Sequence, residues 1–251
     1  MKIVNICRRI NAENSKLVNS FKTNFKYGFT LAEVLITLGI IGIVAAMTIP
    51  NMITNNKAHV LKNQFMKAYS LTQQAYKRLE DDGVGTSPYD YDRTTADRTF
   101  KNVFQRYFSG ITNCTYNRDN KSCYNLTAGT YKTLDGKYDM DTHYFDDGEF
   151  ALIDGTLFLF ENPMSTNGNN RAWIFIDING VNGKPNRLGY DLFLFQLTEE
   201  GLKAMGNTGT TYTGDENCAI ISKNNGLNGM SCTAKAITDP DYFKRITKSI
   251  K

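Results

Sequence analysis

The sequence has few of the residues, and none of the motifs, that commonly carry catalysis. Only two histidines occur in 251 residues, and H-E-x-x-H, G-x-S-x-G and Walker sequences are absent. Zinc hydrolases, nucleophile-elbow hydrolases and P-loop nucleotide hydrolases depend on these motifs. We therefore expect no enzyme of these classes, and we interpret the acidic stretch at 139–149 as a solvated loop.

The chain has only one long apolar run. Residues 29–49 read FTLAEVLITLGIIGIVAAMTI, with Glu33 as the one ionisable side chain, and Pro50 follows. As a helix this run spans about 32 Å, enough for a hydrocarbon core of about 30 Å. It has no polar face after Glu33, unlike the core helix of a soluble protein. The run predicts one membrane-spanning helix, and the negative mean hydropathy of the whole chain argues against a multi-spanning protein.

The segment before the run is basic. Residues 1–28 hold six Lys or Arg residues against Glu13, a charge of +5, so the total of +4 leaves −1 for the remainder. A short basic flank stays in the cytoplasm, and everything after Pro50 is therefore expected outside. The bulk charge gives no support for a nucleic-acid partner. Cleavage by signal peptidase after the run is an alternative, although 47–50 offers no tidy site for it.

Glu33 is the informative residue of the run. A carboxylate in a membrane helix costs about 2.5–3.5 kcal/mol on insertion scales, so it calls for a functional reason. The sequence GFTLAE at 28–33, followed by the apolar run, resembles the processing motif of type IV pilins and type II secretion pseudopilins.

The resemblance implies that a membrane-embedded prepilin peptidase and methyltransferase cuts between Gly28 and Phe29 and methylates the new N-terminus. It also implies that Glu33 pairs with the N-terminal amine of a neighbouring subunit, a pairing that a dry medium favours. Gly42 and Pro50 stand where many family members carry these residues. Other pilin-like subunits, an inner-membrane assembly platform and membrane lipid are the further expected partners. The expected location is the inner membrane, crossed once, with the head periplasmic or extracellular.

Beyond Pro50 the apolar pattern continues as an amphipathic helix that Gly83 is placed to end. Its stripe has helical spacing and holds Leu61, Phe65, Ala68, Thr72, Ala75 and Leu79. A short helix is predicted at 97–109, a hairpin at 149–161, and strands at 172–178 and 191–197. The fold class is α+β, with a long N-terminal helix packed on a small antiparallel sheet. The expected domains are a leader (1–28), a membrane and assembly helix (29–50), an amphipathic helix (51–82) and a head (83–251).

Oxygen-bearing side chains cluster between the last two predicted strands. They are Asp177, Asn179, Asn182, Asn186 and Asp191, all of the hard type that calcium prefers. The twelfth position lacks the Glu of an EF-hand. Two interpretations stay open: a calcium site of modest affinity, with calcium as the one candidate cofactor, and a hydrogen-bonded Asx-turn loop without metal.

The expected membrane topology places the five cysteines in two groups, one before the apolar run and one after it. Cys7 belongs to the leader, whereas Cys114, Cys123, Cys218 and Cys232 lie on the outer side, where disulfides can form. Four cysteines allow three pairings, and local pairing within 114–123 and within 218–232 closes the shortest loops. We expect this local pairing, and no metal site built from cysteine.

These features favour a structural subunit of a type IV pilus-like filament. The oxygen-rich loop favours a type II secretion pseudopilin, whereas the size of the outer domain permits a minor pilin of a surface pilus. A signal-anchored binding domain or enzyme is a further alternative, and an uncut N-terminus would indicate it.

Overall fold

The structure is a computed structural model, and it describes residues 28–91, 95–114, 122–124, 127–163, 171–222 and 225–250. The expected leader lies outside these residues except for Gly28. The chain divides into two units, one that ends at Ile49 and one that begins at Pro50.

Helix α1 extends from Leu31 to Asp81 and continues through Pro50. Its buried side chains are Ala58, Leu61, Phe65, Ala68, Thr72, Ala75, Tyr76 and Leu79, which confirms every member of the predicted stripe. Gly83 ends the helix in a left-handed conformation (φ +66°), and the Val84 N–H donates to the Leu79 carbonyl at 3.1 Å. This is the hydrogen bond by which a glycine after a helix satisfies its last carbonyls.

The second unit is built on a six-stranded antiparallel sheet in which each strand pairs with the next along the chain. The strands are β1 (Ile111–Asn113), β2 (Glu149–Leu152), β3 (Leu157–Glu161), β4 (Ala172–Asp177), β5 (Leu192–Thr198) and β6 (Gly201–Ala204). The predicted hairpin forms β2 and β3, and the two further predicted strands form β4 and β5. The predicted α+β class is confirmed.

Strand β4 shows how the sheet separates two cores. Ala172, Ile174 and Ile176 point to the same side as the α1 stripe, whereas Trp173 and Phe175 belong to a second cluster on the other side. Because successive residues of a strand face opposite sides, a strand buried on both faces reads as a continuous apolar run. Residues 172–176 are such a run, and all of them are buried.

Several short elements are shorter than predicted or were not predicted. Helix α2 covers only Phe100–Phe104 of the predicted 97–109, and a 3₁₀ turn at Gln105–Tyr107 follows it. Strands β1 and β6, and the C-terminal helices α3 (Cys232–Thr238) and α4 (Tyr242–Ser249), had no assignment from the sequence. Elements of three to eight residues contain too few repeats of the apolar pattern to stand out.

Candidate functional site

Gly28 and Phe29 lead into α1 as exposed, non-helical chain. The Phe29 side chain is 87% exposed, and no described residue lies within 4 Å of a Cβ built on Gly28. No described residue therefore covers the peptide bond between them.

Thr30 and Glu33 form a reciprocal cap on the first turn of α1. The Glu33 carboxylate accepts hydrogen bonds from the Thr30 N–H (2.7 Å) and the Thr30 hydroxyl (2.8 Å). In return, the Glu33 N–H donates to the Thr30 hydroxyl oxygen at 3.2 Å. This capping box satisfies N–H groups that have no partner inside the helix. Glu33 thus has a role within its own chain that the sequence analysis missed, and its exposed carboxylate is also open to a second chain.

Among the described residues, the large side chains in the apolar part of α1 are exposed. Its large exposed side chains include Leu31, Leu35, Ile36, Leu38, Ile40, Ile41, Ile43, Met47 and Ile49. A Cβ added at Gly39 or Gly42 would meet no described atom within 4 Å, so no contact with the described part of the chain requires glycine there. The hydroxyls of Thr37 and Thr48 donate to carbonyls of the same helix, at 2.9 and 3.0 Å. This segment is long and apolar enough to cross a membrane, and these polar groups are satisfied internally, as hydrocarbon demands.

Two disulfides link the four outer cysteines. Cys114 pairs with Cys123 and Cys218 pairs with Cys232, which is the local pairing expected from the sequence. Cys232 is fully buried at the start of α3. The second disulfide therefore ties the core side of α3 to the segment that precedes it.

The oxygen-rich segment is the loop between β4 and β5, with Asp177 at one end and Asp191 at the other. Both side chains are completely buried. Asp177 accepts hydrogen bonds from the Tyr131 hydroxyl (2.8 Å) and the Asn179 N–H (3.2 Å). Asp191 accepts from the backbone N–H groups of Asn186 (2.9 Å) and Arg187 (2.6 Å). The Asp177–Asn179 bond is that of an Asx turn, so this part of the metal-free interpretation is present.

Asn179 and Asn186 of this loop hold amide oxygens that are buried and receive no hydrogen bond. Asn186 is fully buried, in a left-handed conformation (φ +56°), and its Nδ2 donates to the Val181 carbonyl at 2.8 Å. The Asn179 amide donates to the Asp191 carboxylate. In both residues Oδ1 has no hydrogen-bond partner.

The loop concentrates negative charge away from water. Burial raises the pKa of the Asp177 carboxyl, and the nearby charge of Asp191 raises it further. Burial also raises the pKa of Asp191, although the N–H groups of Arg187 and Asn186 oppose the shift. None of the ion pairs among the described residues involves either carboxylate. A pair of buried acids without a cation either takes up protons or binds a metal.

The structure brings four of the five oxygen-bearing residues of the sequence analysis into one hydrogen-bonded group. Asn182 differs from the other four because its side chain is exposed. Tyr131, which donates to Asp177, was missed, and it lies 46 residues earlier in the chain. No local pattern could have indicated that contact, because only the fold brings the two segments together.

The other acidic groups of the described residues include both exposed and buried side chains. Asp146, Asp147 and Glu161 bring carboxylate oxygens within 4.8 Å of one another at a partly exposed surface. Glu149, expected in a solvated loop, is instead buried and accepts from the Tyr124 N–H at 2.9 Å. It is the first residue of β2, opposite Leu159 of β3, and its carbonyl accepts from the Cys114 N–H at 3.3 Å.

The comparisons with known proteins concern the N-terminal segment. Residues 24–49 match the family model described as the prokaryotic N-terminal methylation motif. The chain carries the N-terminal signature of type IV pilins and pseudopilins. No curated protein and no solved structure matches it. The signature supports a type IV pilin-like precursor, processed by a prepilin peptidase and assembled with other pilin subunits, and proteins of this type are structural rather than enzymatic.

Proposed function

We propose that this chain is the precursor of a filament subunit that is anchored in the inner membrane by residues 29–50. The methylation motif at 24–49 carries the proposal, because it coincides with the start of an exposed apolar helix. A prepilin peptidase cuts the open bond between Gly28 and Phe29 and methylates the Phe29 amine. The basic leader stays in the cytoplasm, and the head, residues 83–251, is periplasmic or extracellular.

Glu33 is proposed to direct assembly through its charge. Cutting creates an α-amine on Phe29, which is a cation at the start of an apolar helix. The exposed Glu33 carboxylate of a neighbouring copy can neutralise it, and the attraction is strong because the surroundings exclude water. A fixed pair of this kind favours one axial offset between subunits.

The exposed apolar surface supplies the rest of the interface. Lipid covers it before assembly, and the same surface of other subunits covers it in the filament. Gly39 and Gly42 allow neighbouring helices to approach closely, since small residues let helix backbones pack in apolar surroundings. The open space around both glycines among the described residues supports this role.

Processing is tested by mass spectrometry of the N-terminus of membrane-extracted protein. The mature chain should begin with N-methylated Phe29, and Gly28→Val should remain uncut because the larger side chain obstructs the scissile bond. Gly39→Val changes the same residue type within the helix and should be cut normally. An intact Met1 in the wild-type protein, or a cut after Ala46, would contradict the proposal.

Glu33 is tested by separating its charge from its cap. Glu33→Gln keeps an oxygen for the Thr30 donors, because glutamine also serves in a capping box, but it removes the charge. Glu33→Val removes both. Each variant should insert into the membrane and yield few filaments in electron micrographs, whereas Glu199→Gln, an exposed residue of the β5–β6 turn, should assemble normally. Filaments of Glu33→Gln at wild-type yield and length would show that the charge is not required.

We propose that the filament is the pseudopilus of a type II secretion system. The oxygen-rich loop between β4 and β5 supports this class. The alternative is a minor pilin of a surface pilus, which the large second unit favours. Deletion of the gene should abolish secretion of proteins into the medium and leave surface pili intact. Loss of surface pili with normal secretion would establish the alternative.

A further inference from the structure

We propose that a basic groove between α1 and α4 binds the headgroups of anionic phospholipids and so holds the head against the membrane before assembly. The side chains that carry the proposal are Ala58, His59 and Lys62 on one wall and Asp241, Phe243 and Lys244 on the other. This contact with lipid requires the membrane anchor proposed above, and it holds for either filament class.

The basic groove combines an apolar floor with a charged rim. Ala58 is 6% exposed and Phe243 is 2% exposed, whereas Lys244 is exposed and Lys62 is half-buried. The groove has a volume of about 220 Å³. Pockets that combine apolar walls with a few charged groups suit molecules that are themselves part apolar and part charged. A phospholipid headgroup with its glycerol is such a molecule.

The cations of the groove have no counter-charge in the described part of the chain. None of the ion pairs among the described residues involves Lys62 or Lys244. Lys248 also has none, and it follows Lys244 by four residues on α4, so it extends the same face of that helix. Among the described residues that line the groove, Asp241 alone is acidic. The groove therefore attracts an anion from outside the chain.

The sequence that follows the apolar run is basic as well. Residues 50–79 hold five Lys or Arg residues and no Asp or Glu, although residues 29–251 together carry a charge of −1. Positive charge on the outer flank of a span opposes the orientation that the basic leader favours. These lysines therefore call for a role that offsets this cost. Attraction to anionic lipid beside the span provides one.

The α1 wall of the groove lies within electrostatic reach of a lipid surface. Lys62 is 13 residues beyond Ile49 on the same helix, which amounts to about 20 Å. The headgroup layer covers about 5–8 Å of that distance. Side chains on a helix also tilt toward its N-terminus, which here is the direction of the membrane. The remaining gap is comparable to the Debye length, about 10 Å at an ionic strength of 0.1 M.

The first test measures backbone hydrogen exchange of the full-length protein in nanodiscs that hold one copy each. The lipid is phosphatidylcholine with an increasing fraction of phosphatidylglycerol. The amides of α4 should exchange more slowly as this fraction rises, and the protection should disappear in about 0.5 M sodium chloride, because salt screens the attraction. Exchange that does not respond to phosphatidylglycerol would overturn the proposal.

Two further arms identify the occupant of the groove. Inorganic phosphate, added to discs of phosphatidylcholine alone, should not protect α4, and equal protection by phosphate would overturn lipid as the occupant. Protection in phosphatidylcholine discs that hold two copies, with no response to phosphatidylglycerol, would also overturn the proposal and assign the groove to a second copy of this chain.

Matched variants test the assignment of the lysines. Lys62→Gln and Lys244→Gln should each raise the fraction of phosphatidylglycerol that half-protects α4 by about fivefold, the contribution of one lysine near an anionic surface. Lys62→Arg keeps the charge and should behave as the wild type. Arg78→Gln removes the same charge from an exposed position of α1 about 24 Å farther along the helix, and should change the fraction by less than about twofold. Equal effects of Lys62→Gln and Arg78→Gln would overturn the assignment.

Membrane insertion is measured separately, so that the two proposals can fail independently. The full-length protein is tested for flotation with phosphatidylcholine vesicles after alkaline extraction. Failure to float would overturn the membrane anchor and the lipid contact of the head together. Flotation with α4 exchange that does not respond to phosphatidylglycerol would overturn only the lipid contact.

Discussion

Replacement of Phe65 by alanine measures how strongly the head is built on α1. The Phe65 ring is 1% exposed, and its centroid lies 4.5 Å from that of Phe193 on β5 and 5.5 Å from that of Phe243 on α4. Truncation removes both contacts and leaves a cavity between three elements. Such a change in a core costs about 3–5 kcal/mol. For a unit of this size we expect a fall in melting temperature of about 6–20 °C.

Trp173 reports the transition, because it is the only tryptophan and is fully buried in the second core of the head. Its fluorescence is followed during thermal and urea unfolding of the full-length protein in detergent. Met66→Ala is the control, since Met66 is the next residue of the same helix but is 41% exposed. It should change the free energy of unfolding by less than about 0.5 kcal/mol. A loss below about 1 kcal/mol for Phe65→Ala, or equal losses for both variants, would refute the packing described above.

Three further predictions concern the head. Gly189→Ala should cost more stability than Gly155→Ala in urea unfolding. Both glycines have positive φ (+71° and +90°), but a Cβ at Gly189 would lie 2.7 Å from the buried disulfide, whereas one at Gly155 meets no described atom within 4 Å. Equal losses of unfolding free energy in the two variants would contradict the predicted clash of a Cβ at Gly189 with the disulfide. Reduction of the disulfide that closes 218–232 should cost about 3 kcal/mol, and a thiol reagent should label no cysteine of the head before reduction. At least two reactive thiols without reductant would refute this. Burial opposes ionisation of Asp154, but hydrogen bonds from Lys67 and Thr156 lower its pKa overall. The stability gained is therefore present above the ordinary pKa and is lost as the pH falls through the lowered one. Asp154→Asn should cost less than about 1 kcal/mol at pH 7, and the difference should vanish once the pH has fallen through the lowered pKa of Asp154. A difference that persists in acid would exclude the ion pair as its cause.

The sequence by itself predicted the membrane helix with its processing motif, the buried face of α1 and the central strands of the sheet. The 21-residue apolar run, its single Glu33 and the preceding Gly28 are local features, and their meaning does not depend on long-range contacts. The buried stripe of α1 was also readable, because helical spacing places every third or fourth residue on one face. The central strands were found for the same reason, since a run buried on both sides is apolar throughout.

Only the tertiary structure showed which side chains of the β4–β5 loop are buried and what they contact. The sequence offered Asp177 and Asp191 as oxygen ligands, but it could not show that both are buried, because burial depends on contacts with residues that are distant along the chain. Tyr131 reaches Asp177 from 46 residues away, and the exposure of Asn182 follows from the path of the loop. Spacing along the chain fixes which residues share a face of a helix or strand, whereas the environment of a charge is set by whatever the fold brings next to it.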